Sequence, residues 1–184
     1  MRWILPALVG SFFLIVTATP QLAQAQAQAQ ESETLKKFFG EYKGAGVASR
    51  KGRGRVSLDR RDLDVTIKPY GQGGFTMTWT TVIAPEYAQL RRERTSTVNF
   101  MPTTRTEVWR SDPVTTLMSG KAVMWARIGG GSLFVYVATM TEAGGIATSV
   151  YKRTLTKTGM RLEFARTHDG RRVRTVQATL RRKK

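Results

Sequence analysis

The chain has no cysteine and only one histidine, His168, among its 184 residues. Without cysteine it forms no disulfide, no thiolate metal site and no lipid-modified N-terminal cysteine, so packing of the core alone must hold the fold. One imidazole is too few for a histidine metal site, and His168 stands beside Asp169-Gly170, a pair typical of a hairpin turn. We therefore predict that the protein holds no metal and no cofactor.

Acidic residues are also scarce, at 13 against 30 Lys and Arg. Asp62 and Asp64 lie two apart on the polar face of a predicted strand, where solvation explains them better than catalysis. No Gly-x-Ser-x-Gly elbow is present, and neither Gly44-Ala45-Gly46 nor Gly129-Gly130-Gly131 precedes a predicted helix, as a phosphate-binding loop does. The sequence favours a protein that is not an enzyme; an enzyme using carboxylates inside a barrel is a lesser alternative.

The N-terminus carries the three parts of a secretory signal. Arg2 gives a positive start, an apolar stretch covers 3–16, and the Ala-Gln repeat over 23–29 offers several A-x-A cleavage sites. A retained membrane anchor is the alternative, but the apolar stretch is shorter than the roughly 20 residues that span a bilayer. We expect 1–29 to be a cleaved signal peptide with its cleavage region, 30–184 to form one domain, and the protein to be periplasmic or secreted.

Positive charge dominates the composition. Arg2 is the only charged residue before Glu31, so removal of the leader changes the net charge from +17 to +16. The basic residues cluster at 50–55, 91–94 and 171–184, either as solvated loops and a charged tail or as a rim that binds polyanions. Nucleic acid would suit a cytosolic chain, but export makes phospholipid headgroups or lipopolysaccharide phosphates the nearer partners, and no nucleic acid is expected.

After a predicted short helix over 32–39, which Gly40 ends, apolar residues recur with period two. The alternation is clearest over 63–68 and 75–80, which flank a glycine-rich turn. Further strands are predicted at 42–48, 95–101, 106–110, 121–128, 132–141, 146–155, 160–167 and 172–180. The segment 85–94 interrupts the pattern as a helical turn or a loop over the barrel mouth. We predict an all-β fold, an antiparallel up-and-down meander of about nine or ten strands closed into a barrel, because closure hides sheet edges. A two-sheet sandwich is the alternative.

The start of the domain carries a resemblance to a known superfamily. A short aromatic helix leads into Gly40-Glu41-Tyr42-Lys43-Gly44, and the meander ends in an arginine-rich strand. This resembles the lipocalin and fatty-acid-binding (calycin) barrels, in which the N-terminal helix plugs one end. The resemblance implies a Gly-x-Trp motif on the first strand, across which a late arginine packs. Here Tyr42 replaces the tryptophan, and no single arginine stands out among Arg161, Arg166 and Arg174.

Large side chains on the predicted strands suggest either a filled core or a ligand cavity. Arg127 follows Trp125 at period two, and Arg153 follows Tyr151, so these arginines are expected to face inward with the aromatic residues. A buried arginine needs an anionic partner, either Glu107 or Glu163 or a ligand carboxylate or phosphate. The predicted ligand-binding residues are Tyr42, Met77, Trp79, Trp125, Arg127, Tyr136, Tyr151 and Arg153.

Two functions follow from these observations. The first is a periplasmic, non-enzymatic binding protein for a small, lipid-like ligand that is apolar or amphipathic and anionic. The second is an envelope interaction protein that binds anionic membrane surfaces through its basic rim and has a solid core. A cavity lined by Trp79, Trp125 and Arg127 would favour the first.

Overall fold

The computed structural model describes residues 33–52, 55–83 and 92–183. Its ten strands form one closed antiparallel barrel in which each strand pairs with its sequence neighbours and the first pairs with the last. The strands are β1 (Gly40–Gly52), β2 (Arg55–Tyr70), β3 (Gly74–Ile83), β4 (Arg92–Pro102), β5 (Val108–Asp112), β6 (Val123–Gly129), β7 (Ser132–Met140), β8 (Ile146–Thr156), β9 (Gly159–His168) and β10 (Arg171–Arg182). The predicted all-β meander is confirmed, and the sandwich alternative is wrong because the sheet closes on itself.

The barrel closes where β1 lies against β10, and two glycines of β1 allow the close approach. Gly44 pairs with Leu180. A Cβ on Gly44 would lie 2.7 Å from the Leu180 Cα. Gly46 pairs with Ala178, and a Cβ on Gly46 would lie 2.5 Å from the Ala178 Cβ. Both separations are too short for a side chain, so these glycines set the distance between the strands at the seam.

The N-terminal helix plugs one end of the barrel. It covers residues 33–36 and continues as a turn, and its Leu35 and Phe38 side chains are buried. The Tyr42 hydroxyl donates a hydrogen bond of 2.9 Å to the Phe38 carbonyl. Arg182 Nη2 lies 2.6 Å from the Tyr42 hydroxyl oxygen, and its Cζ lies 5.2 Å from the centre of the Tyr42 ring. Arg182 of β10 is therefore the late arginine that packs across the first-strand aromatic residue.

The filled part of the core lies directly inside this plugged end. Phe75 stacks on Phe100 with ring centroids 4.8 Å apart, and Trp109 meets Phe75 edge-on at 5.7 Å. The Trp109 Nε1 donates to the Gly73 carbonyl at 2.8 Å, so the one polar atom of this indole has a partner. The plugged half therefore behaves as an ordinary apolar core.

The wall of the other, open end is incomplete between β4 and β6. β5 pairs with β4 only over Asn99–Pro102, near the plugged end. The first part of β4, 92–98, has no strand partner on that side among the described residues. The segment 113–122, with a 3-10 turn at Leu117–Ser119, runs beside this gap and leads into β6. The sequence predicted β6 to begin at 121, and the segment itself was not foreseen.

Several predictions from the sequence fall outside the described part of the chain. The expected signal peptide over 1–29 lies there, as does Ser32, the expected start of the helix. The segment 85–94 was expected to interrupt the strand pattern. Residues 85–91 of it lie outside the described part, and 92–94 belong to β4. Among the described residues, no helix is both long enough and apolar enough to cross a membrane.

Candidate ligand cavity

A cavity of about 400 Å³ occupies the open half of the barrel. Most of its wall is apolar, because the inward positions of the central strands carry aliphatic and aromatic side chains. The aliphatic ones are Leu63, Met124, Val137, Leu162 and Val176. The hydroxyl groups of Thr81, Ser96, Thr139 and Ser149 also line it. A largely apolar wall with a few polar groups is the usual lining of a small-molecule site.

Three aromatic rings line the cavity. Trp79 of β3 and Tyr151 of β8 face each other with ring centroids 6.0 Å apart and planes inclined by 44°. Tyr151 also contacts Phe164 of β9, its direct cross-strand partner, at 4.7 Å. Trp79 and Tyr151 lie on strands far apart in sequence, so their contact spans the interior and marks the narrow base of the cavity.

Arginines surround the mouth. Arg166 pairs with Ser149 on one side and with Arg174 on the other, so these residues form one layer across β8, β9 and β10. Arg94 of β4 lines the same cavity. Among the described residues that line it, none carries a carboxylate. The described lining therefore combines three arginines with an apolar wall.

The pKa of Tyr151 depends on its burial and on these arginines. Burial raises the pKa of the Tyr151 hydroxyl, and the nearby positive charges of Arg153, Arg166, Arg94 and Arg174 oppose that rise without cancelling it. The hydroxyl is therefore protonated at neutral pH and is available as a hydrogen-bond donor inside the cavity. A donor and several cations converge on one region, which suits an oxyanion.

One cavity arginine has an unused donor. The Nε of Arg166 is buried and has no hydrogen-bond partner. A buried donor without a partner costs free energy, of the order of 1–3 kcal/mol. A ligand oxygen that accepted this hydrogen bond would remove that cost. Arg166 is therefore the strongest candidate in the cavity to bind a polar group of a ligand.

Arg153 lies one layer deeper, two residues beyond Tyr151 on β8. It is 1% exposed, and its Cζ lies 5.3 Å from the centre of the Tyr151 ring. Burial lowers its pKa to about 10. Its Nε and Nη1 have no hydrogen-bond partner, and among the described residues no carboxylate forms an ion pair with it. The expected partner Glu163 instead lies 3.1 Å from the Lys152 Nζ, on the outer face of the barrel.

The eight predicted ligand-binding residues fall in three places. Trp79 and Tyr151 line the cavity, and Arg153 lies below it. Tyr42 and Met77 are buried in the core and do not line it. The remaining three are on the outer face, so the expectation that they point inward is wrong; they are Trp125, Arg127 and Tyr136.

The error on β6 and β7 has a clear physical reason. The alternation places Met124, Ala126 and Ile128 inward, and the larger Trp125 and Arg127 therefore face out. Trp125 pairs directly with Tyr136 of β7, and their rings stack 5.0 Å apart with planes inclined by only 7°. Their large apolar rings suggested that Trp125 and Tyr136 lie in the core. In the structure the two rings instead cover each other on the outer surface.

Arg127 completes this outer ladder. Its Cζ lies 4.5 Å above the Phe134 ring, and its Nε donates to the Tyr136 hydroxyl at 3.0 Å. The guanidinium thus has partners on its own surface and needs no buried anion. The ladder contributes to the pairing of β6 with β7 rather than to the cavity.

Sequence reasoning missed part of the lining. Phe164 and Arg166 follow Leu162 at period two on β9, and this signal could have placed both inside the barrel. β4 begins at Arg92, but its first residues show no alternation of apolar and polar side chains. The sequence therefore predicted Arg94 to lie in an irregular basic segment. Met124 and Val137 also line the cavity, and the choice of their neighbours Trp125 and Tyr136 as inward residues excluded them.

Comparisons with known proteins bear on the fold. No family model matches the chain, and no curated protein matches its sequence. The crystal structure of Rv2717c from M. tuberculosis is similar over 84% of this chain and 98% of that one, with a TM-score of 0.52 and 12% identity. The S-type phycobiliprotein lyase CPES from Guillardia theta is similar over 85% and 97%, with a TM-score of 0.40 and 8% identity. The chain thus shares its overall fold with the Rv2717c structure, while no family is assigned by sequence.

Proposed function

We propose that the protein is an exported, non-enzymatic binding protein for a small amphipathic anion. The apolar part of the ligand lies against Trp79, Tyr151 and Phe164, and its carboxylate or phosphate lies at Arg166 near the mouth. The observation that carries this proposal is the unpartnered, buried Arg166 Nε in a cavity whose described lining has three arginines and no carboxylate. A ligand oxygen would supply the acceptor that the Arg166 Nε lacks.

The cavity volume limits the size of the ligand. At about 400 Å³ it is at the lower end of small-molecule sites. It has space for roughly a dozen water-sized groups, since each takes about 30 Å³. A medium-length acyl chain with one acidic head fits this volume, whereas a two-chain phospholipid does not. The ligand class is therefore a single-chain amphiphile.

The lining supports binding rather than catalysis. Hydroxyl groups are present at Ser96, Thr139, Ser149 and Tyr151, but the described lining offers no carboxylate or imidazole to act as a general base. The alternative function required a solid core, and the cavity weighs against it.

Isothermal titration calorimetry with decanoate and decanol tests the proposal. The two probes share a chain length and differ in the anionic head. We expect decanoate to bind at least tenfold more tightly, because a hydrogen bond to a charged group contributes about 1.5–3 kcal/mol. Equal affinities for both probes would argue for a purely apolar site, and no heat with either probe would contradict the proposal.

Three variants sharpen this test. Arg166→Gln should lower the affinity for decanoate about tenfold or more and leave decanol unaffected. Val137→Trp should fill the cavity and abolish binding of both probes. Tyr136→Leu changes an aromatic residue of the outer face and serves as the control, with both affinities unchanged. Thermal melting of each variant separates loss of binding from loss of folding.

A further inference from the structure

The open end of the barrel has an unusual surface. The structure describes five large hydrophobic residues with exposed side chains, and four of them lie at this end. They are Val114 (58% exposed), Met118 (86%), Met140 (38%) and Ile146 (46%). Isolated exposed apolar residues are ordinary on protein surfaces, but this grouping at one end is not.

The four residues belong to two neighbouring loops. Val114 and Met118 lie in the segment 113–122, whose 3-10 turn contacts β7. Met140 and Ile146 close the hairpin that joins β7 to β8, where they form its last paired residues. Ala122, at the end of the first loop, also lines the cavity. The apolar tips therefore lie beside the entrance through which a ligand must pass.

Basic side chains accompany these tips. Arg94, Arg166 and Arg174 line the entrance, and Lys121, Arg171 and Arg172 are exposed in or next to its loops. Glu93, Asp112, Glu142 and Asp169 are the acidic residues of the described part close to them, and the Asp112 carboxylate accepts a hydrogen bond of 3.0 Å from the Tyr70 hydroxyl. Asp169 already accepts a hydrogen bond of 2.8 Å from the Ile146 backbone N–H. Positive charge thus exceeds negative charge around the apolar tips.

We infer that the open end docks onto the surface of an anionic phospholipid bilayer. The apolar tips enter the boundary between headgroups and acyl chains, while the basic residues contact the phosphates. This arrangement suits the membrane surface for two reasons. Insertion removes the exposed apolar side chains from water, and the basic side chains neutralise the negative charge of the lipid phosphates. A protein partner would need shape complementarity across a broad face, whereas these tips project separately from two loops.

Docking in this position has a consequence for the ligand. The gap between the first part of β4 and β6 lies next to the segment 113–122, and Arg94 and Met124 line the cavity on its two sides. A single-chain amphiphile leaving the bilayer would meet the cavity entrance directly, with its head near the arginines. This role in loading rests on the proposed function, but the docking surface does not depend on it.

Co-sedimentation with vesicles tests the inference. Purified protein is mixed with vesicles of phosphatidylglycerol and phosphatidylcholine, or of phosphatidylcholine alone. We expect binding to the anionic vesicles that weakens as salt rises from 0.05 to 0.5 M, and little binding to the neutral ones. The double variant Val114→Ser/Met118→Ser should lower the affinity for anionic vesicles roughly tenfold or more, because two apolar insertions are lost.

Val47→Ser is the matched control, since Val47 is 52% exposed on the side wall of β1. It should bind vesicles as the unchanged protein does. Full binding by the double variant, or no binding by the unchanged protein, would overturn the inference. The affinity for decanoate in solution separates the two proposals: docking can fail while decanoate still binds, and decanoate binding can fail while the vesicles still sediment the protein.

Discussion

Arg182, near the end of β10, donates a hydrogen bond of 2.6 Å to the hydroxyl of Tyr42, near the start of β1. The same Nη2 also lies 2.6 Å from the Lys37 carbonyl oxygen of the N-terminal plug. One guanidinium therefore joins the first strand, the last strand and the plug. This contact ties together both ends of the described chain at the point where the barrel is closed.

Loss of this contact should destabilise the barrel. We expect Arg182→Ala to lower the free energy of unfolding by about 1–3 kcal/mol, because the Lys37 carbonyl and the Tyr42 hydroxyl lose a charged donor. Arg182→Lys should recover little, since an ammonium lacks the planar group that covers the ring. Urea denaturation measures the change. The neighbouring, exposed Arg181→Ala is the control and should have almost no effect; equal losses in both variants would refute the role of Arg182.

The seam between β1 and β10 gives a second prediction. Gly44→Ala should cost about 1–3 kcal/mol, because its Cβ would overlap the backbone of Thr179 and Leu180. The control Val47→Ala changes an exposed residue of the same strand and should cost little. Thermal unfolding followed by circular dichroism compares the two. An unchanged melting temperature in Gly44→Ala would mean that the seam is not closely packed.

The buried Arg153 predicts a stabilising substitution. Its pKa is about 10, well below its ordinary value, because burial disfavours the charged form. A cation with a lower pKa in the folded state opposes folding at every pH below that value, and the penalty fades as pH rises above about 10. Arg153→Met should therefore raise the stability of the ligand-free protein at pH 7 by about 1–4 kcal/mol.

The advantage of Arg153→Met should shrink when both proteins are denatured above pH 10. Tyr151 is replaced by Phe in both proteins, because the charge of Arg153 lowers the pKa of Tyr151 and its removal would change that titration too. Lys152→Met, at the adjacent outward position, is the control and should change stability by less than about 1 kcal/mol. A strongly destabilised Arg153→Met at pH 7 would show that Arg153 has a favourable partner.

The outer aromatic ladder gives a fourth prediction. Trp125→Leu should lower stability by about 1 kcal/mol, because the stacked pair with Tyr136 is lost. It should leave the affinity for decanoate within twofold of the original. Calorimetry and urea denaturation measure the two effects. A tenfold loss of affinity would place Trp125 in the binding site after all.

Much of the fold could be predicted from the sequence, because its determinants are local. Alternation with period two and turns rich in glycine predicted nearly every strand, and β2 and β3 around the Pro69–Gly74 turn are the clearest case. The helix before Gly40 was predicted from its aromatic pattern, and its role as a plug is what the resemblance to the calycin barrels implies. The prediction of which β6 side chains point into the barrel was wrong. Met124 and Trp125 are neighbours and both apolar, so alternation does not determine which of them faces inward.

The candidate site was harder to predict, because its residues meet only in three dimensions. Trp79 and Tyr151 lie 72 positions apart and touch across the interior. Arg94 and Arg166 line one cavity from strands that are not neighbours. The incomplete pairing between β4 and β5 is a property of register, which the sequence pattern does not carry. Arg182, which lies beyond the end of the predicted last strand, was missed for the same reason.

Native mass spectrometry of the protein purified from its own host tests the central claim most directly. The account predicts a bound species with the mass of one single-chain acidic amphiphile, present in the unchanged protein and absent from Val137→Trp. Addition of decanoate should displace it. A cavity that is consistently empty in the unchanged protein, with no added mass after incubation with decanoate, would contradict the account.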